Sequence, residues 1–176
     1  SSDLSIQAKR KLDLILLNSL RQLPKILELE LTILTSFITN NKQASLPFIR
    51  KNPFLRKLKI SNGVSLTDSQ IVFISKFISS CSELEYLELI LTTTTFNMIQ
   101  GHIMKTLEAM TRLKTLLITF KVKPFTNSHA NLMANSISKI LTLTKVAILI
   151  DRTGDEEPVD LRSGCLANTL LLTKRS

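Results

Sequence analysis

Apolar residues in this chain alternate with polar ones in short bursts, and the burst restarts five times. "ILELEL" places Ile26, Leu29 and Leu31; "LRKLKI" places Leu55, Leu58 and Ile60; "LEYLEL" places Leu84, Leu87 and Leu89. "LKTLLI" and "LTKVAI" continue with Leu113, Leu116 and Ile118, then Leu143, Val146 and Ile148. First positions fall at 26, 55, 84, 113 and 143, giving steps of 29, 29, 29 and 30. Period two predicts strands near 26–31, 55–60, 84–89, 113–118 and 143–148. Five copies in register predict a repeat.

Between bursts the period becomes helical. "TDSQIVFISKFISSC" opens with Thr67 and Gln70 at capping-box spacing, then sets Ile71, Ile74 and Ile78 on one face. "FNMIQGHIMKTLEAM" sets Phe96, Ile99, Ile103, Leu107 and Met110 on another. "SHANLMANSISKIL" gives Met133, Ile137 and Ile140 or Leu141, with Asn127 or Ser128 expected as the cap. "IQAKRKLDLILLNSL" reads as an opening helix, and Pro47 is placed in the first turn of a short helix after Ser45. A strand–helix unit cannot bury its apolar face alone, so stacked copies must share one core. The predicted architecture is a single α/β repeat domain over 1–176, with a curved parallel sheet inside and helices outside. The repeat breaks after Ile150 into an irregular acidic loop, 151–160, carrying Asp151, Asp155, Glu156, Glu157 and Asp160. A final partial helix is expected over 161–176.

At these residues the chain resembles leucine-rich-repeat proteins of the ribonuclease-inhibitor-like kind, whose long repeats carry a helix. "SSCSELEYLEL" is similar to the C-x-x-L-x-x-L-x-L segment of such proteins, including the repeats of F-box substrate receptors. The resemblance covers most of residues 6–150. It implies a leucine-rich-repeat solenoid with a concave sheet and convex helices. It also implies protein recognition without enzymatic activity or a cofactor. Where the family has Asn or Cys three residues past the last strand leucine, this chain has Gly63, Thr92 and Lys121, so irregular turns are expected. No F-box-like segment is read ahead of the first repeat.

Composition narrows the function. The chain has 176 residues and is 44% hydrophobic, enough for one domain with a substantial core. Mean hydropathy is +0.18, which excludes a disordered chain. No apolar run reaches membrane-spanning length, so no membrane role is expected. The N-terminal stretch lacks an initiator Met, has Asp13 within its apolar part and shows no small-residue cleavage site. It is therefore not read as a secretory signal, and the chain reads as part of a longer one. Cys81 and Cys165 form no disulfide framework or metal motif, which points to an intracellular location, cytoplasmic or nuclear.

No catalytic constellation emerges. His102 and His129 have no second ligand at a metal-like spacing and read as surface or boundary residues. Cys81 reads as a packed thiol, and the acidic loop lacks the EF-hand pattern. The four glycines are isolated, so no phosphate-cradling loop is present, and without Trp there is no base-stacking platform.

What remains is the outward face of the strands. Three columns run across it: Glu28, Lys57, Tyr86, Thr115, Lys145; Glu30, Lys59, Glu88, Leu117, Ala147; and Thr32, Ser61, Ile90, Thr119, Leu149. The charged half passes into an apolar half at Ile90, Leu117, Ala147 and Leu149, the kind of patch that marks contacts. Two readings follow. One is a protein-interaction scaffold, a subunit or domain of a larger assembly, whose partner contacts are Tyr86, Ile90, Leu117, Leu149, Glu88 and Lys59. The other is a basic RNA- or DNA-associated accessory protein of a ribonucleoprotein complex. It rests on the formal charge of +9 and on Lys9, Arg10, Lys11, Arg50, Lys51, Arg56 and Lys57, with Lys59 beside them.

Overall fold

The computed structural model describes residues 27–33, 54–62, 65–92, 95–122, 125–151 and 169–174. The opening helix, the short helix after Ser45 and the acidic loop beyond Asp151 lie outside the described residues.

The alternating segments form strands β1 (Glu28–Ile33), β2 (Lys57–Asn62), β3 (Tyr86–Thr92), β4 (Thr115–Lys121) and β5 (Lys145–Asp151). All pair in parallel with their chain neighbours. The register matches the sequence spacing: Leu29 faces Leu58, Leu58 faces Leu87, Leu87 faces Leu116, and Leu116 faces Val146. Between elements the chain follows one hydrogen-bond rule. The Leu27 carbonyl accepts from the amides of Arg56 and Lys57, and the Arg56 carbonyl accepts from Glu85 and Tyr86. The Glu85 carbonyl accepts from Lys114 and Thr115, and the Lys114 carbonyl accepts from Thr144 and Lys145. Each strand is thus started by the residue ahead of its predecessor, which ties register to loop length.

A sixth strand, β6 (Thr169–Lys174), extends the sheet in the order β1-β2-β3-β4-β5-β6. It corrects the expected C-terminal partial helix over these residues. "TLLLTK" has a continuous leucine run and no helical period, and β5 offers it a parallel edge, with Ala147 opposite Leu170 and Leu149 opposite Leu172.

Among the described residues, three helical elements alternate with the strands: α1 (Asp68–Ser79), α2 (Phe96–Met98, Ile99–Met104 and Lys105–Glu108 in succession) and α3 (Asn127–Ser138). Leu58, Leu87, Leu89, Leu116, Ile118 and Phe120 bury in one cluster with Ile71, Ile74, Ile99, Ile103, Leu107 and Met133 of the helices. The helices therefore cover this face of the sheet. Asn62 stands in the inward column otherwise filled by Leu91, Phe120 and Ile150. Its Oδ1 accepts from the Thr92 amide at 2.8 Å, and its Nδ2 donates to the Thr92 carbonyl at 3.3 Å. A single buried Asn thus satisfies the turn backbone, one position earlier than the resemblance implies.

Thr67 caps α1 in the expected box with Gln70. The cap of α3 is Thr126, rather than Asn127 or Ser128. Its hydroxyl accepts from the His129 amide, while the Thr126 amide donates to His129 Nδ1, each at 3.2 Å. The imidazole does the work usually given to Glu or Gln, and it stacks on Phe96 with centroids 4.3 Å apart. Thr126→Ala is expected to cost about 0.5–2 kcal/mol, measured by urea denaturation. No loss would mean that the stack alone holds this helix start.

The middle of α2, Ile99–Met104, is π-helical, and the cause is a count of residues. The C-caps of α1 and α2, Ser80 and Ala109, are 29 positions apart, but their N-caps, Thr67 and Thr95, are 28 apart. One extra residue must fit between the same ends. A π turn absorbs it.

Candidate functional site

The second face of the sheet carries the three outward columns, and strand pairing sets each in register. In the first half the charges answer one another. Lys59 Nζ lies 3.4 Å from Glu30, and Lys57 Nζ lies 3.7 Å from Glu28. Lys57 Nζ also sits 5.1 Å from the centroid of Tyr86, whose hydroxyl donates to Glu88 Oε2 at 3.3 Å. Burial, then the Glu88 carboxylate beside it, raises the Tyr86 pKa. Tyr86 is thereby tied into the charged half rather than standing free beside the apolar patch.

The other half is apolar. Leu117 stands between Glu88 and Ala147, and Leu149 stands in the same column as Ile90, two strands away across Thr119. Ile90, Leu117, Ala147 and Leu149 are half-buried. Residues 169–174 lie beside β5 in the sheet. Of the six expected contact residues, all fall on this face: Lys59, Glu88 and Leu117 in one column, Tyr86, Ile90 and Leu149 flanking it.

Of the basic set, Lys9, Arg10, Lys11, Arg50 and Lys51 lie outside the described residues. Arg56 pairs with Glu85 at 2.9 Å, and Lys57 with Glu28 as above. A further line of charge runs along the strand starts, with Lys114 at 3.5 Å from Glu85 and Arg112 at 3.1 Å from Glu83. Its signal was the 29-residue recurrence of Arg56, Glu85 and Lys114, one column ahead of those read from the sequence. These pairs are exposed and screened by water, so the line sets the surface potential more than the stability.

Two carboxyls are held below the usual range. For Glu85 the largest cause is the Lys114 ammonium; for Glu108 it is a hydrogen bond from Ser136, with Lys139 at 3.4 Å. A folded-state pKa below the unfolded one contributes stability above the ordinary carboxylate pKa and loses it as pH falls through the folded value. Resistance to urea is therefore expected to drop as pH falls from about 5 towards 3, less steeply in a Glu108→Gln variant. An unchanged slope in that variant would discount the Ser136 contact.

Cys81 is fully buried and its pKa is pushed up to about 11 by that burial, leaving a thiol without nucleophilic character at neutral pH. Among the described residues no group of His, Cys, Asp or Glu is placed to hold a metal ion, and no helix is long and apolar enough to cross a membrane. The fold defines an α/β protein built on a six-stranded parallel sheet. No family model, curated protein or solved structure matches the chain.

Proposed function

We propose that this chain is a leucine-rich-repeat protein-interaction scaffold, a non-catalytic subunit or domain of a larger assembly that binds a protein partner through the open sheet face. The observation that carries the reading is the change of character across that face, from paired charges around Lys59 and Glu88 to the apolar patch of Ile90, Leu117, Ala147 and Leu149. Apolar area at the centre with polar groups at the margin is the anatomy of a protein contact. The partner it fits brings apolar side chains to the patch and a polar margin to the ladder.

A free buried thiol suits a reducing interior, cytoplasmic or nuclear. The nucleic-acid alternative has less support, because Arg56 and Lys57 are answered by carboxylates where a phosphate track needs unbroken positive charge. The test is native purification followed by size exclusion. A copurifying protein, lost when the patch is altered, is expected. A monodisperse monomer that copurifies with nothing would sink the proposal.

A further inference from the structure

A groove of about 480 Å³ lies on the helical side of the molecule, away from the sheet face, between α1 with the turn after it and α2. Its walls run from Ser75 to Ser82 on one side and from Gly101 to Thr111 on the other. Among the described residues, the charged ones that line it are Lys76 and Lys105; His102 lines it too, and no carboxylate does. Glu108, whose charge Lys105 also feels, is taken up by Ser136 and Lys139. Ser82, Thr106 and Thr111 bring hydroxyls to the groove that make no hydrogen bond among the described residues. Ile78, Ala109 and Met110 supply an apolar side.

Gly101 shows that the fold does not require this opening. It sits inside the π segment, where glycine is less favourable than Ala. A Cβ added there would meet nothing within 4 Å. Neither close packing nor a tight approach of backbone explains the glycine. The extra residue that makes the π turn lies in the same wall, and such turns concentrate at functional sites. Open space beside this glycine, lined by cations and by hydroxyls without partners among the described residues, suits a compact anion.

We propose that this groove binds a phosphate monoester. Such a group carries about −1.5 to −2 charge with three acceptor oxygens. Two lysines match the charge, the three hydroxyls supply neutral donors, and the apolar side accepts a short carbon stem. The ester comes either from a phosphorylated side chain or from a free small molecule, and the experiment separates the two.

The full chain, labelled with ¹⁵N, is titrated with glycerol 3-phosphate and with a short peptide bearing one phosphoserine; glycerol and the unphosphorylated peptide are blanks. Saturable shifts confined to amides 75–82 and 101–111 are expected. Joint Lys76→Glu and Lys105→Glu substitution should weaken binding at least tenfold, and Gly101→Leu should do the same without lowering Tm. Tighter binding of the peptide assigns a phosphoprotein ligand; tighter binding of glycerol 3-phosphate assigns a free ester. Shifts scattered over the basic surface, shifts matched by the blanks, or affinity unchanged in the doubly charge-reversed chain would overturn the proposal.

Discussion

Leu87→Ala is expected to cost about 2–5 kcal/mol of folding free energy, against under about 0.5 kcal/mol for its neighbour Glu88→Ala. Leu87 is completely buried in β3, between Leu58 and Leu116 of the flanking strands. Truncation loses its own burial and opens a cavity that two neighbouring units would have to collapse into together. Parallel strands locked in register by their starting carbonyls resist such collapse, which favours the upper part of the range. Glu88 points to the other face, half-exposed, and its removal sacrifices a hydrogen bond from Tyr86 at 3.3 Å that water replaces. Urea denaturation of the two variants measures the difference. Equal losses would mean that the covered and open faces of the sheet have been exchanged.

The second large effect is on binding. Leu117→Glu should abolish partner capture while leaving circular dichroism unchanged. It sets a charge in the middle of the patch, where a partner would have to desolvate it without compensation. The new carboxylate stands opposite Glu88, so a small stability loss of about 0.2–1 kcal/mol is expected as well. Leu117→Lys separates the two effects. It continues the alternation of Glu30, Lys59 and Glu88, so it should restore stability yet still fail to bind. Folded variants that both keep the partner would place the contact on the helical layer or at a sheet edge. Unfolding of both would show that the chain itself already covers Leu117.

The strands were legible because two independent spacings agree. Period two fixes which side chains point inward, and the 29-residue step fixes which of them meet, so Leu58, Leu87 and Leu116 had one register open to them. The helix over Asp68–Ser79 was legible from Thr67 and Gln70. Thr126 was missed because its box partner is His129, whose ring nitrogen accepts the bond in place of a carboxylate or amide. The choice between Ile140 and Leu141 needed the end of α3, after which Ile140 turns into the core and Leu141 is 91% exposed. Steps of 3, 4, 4 and 3 through Phe96–Met110 hide a π turn, since only the distances between caps reveal the surplus residue. The last strand was misjudged because a leucine run without polar alternation has no period to read. A neighbour's free edge, absent from the sequence, decides its form.

The chain of carbonyls at Leu27, Arg56, Glu85 and Lys114 has a dynamic consequence. Each of these strand starts is hydrogen-bonded to the strand before it, and among the described residues no hydrogen bond of the sheet joins strands that are not consecutive. Information about loosening at one end must be relayed link by link, losing strength at each. Opening is therefore expected to be local: β1, at the edge of the sheet, can part from β2 while β4 and β5 stay closed. A partner that spans Lys59 to Leu149 would bridge three of these links at once, and its grip would make the four strands rise and fall together.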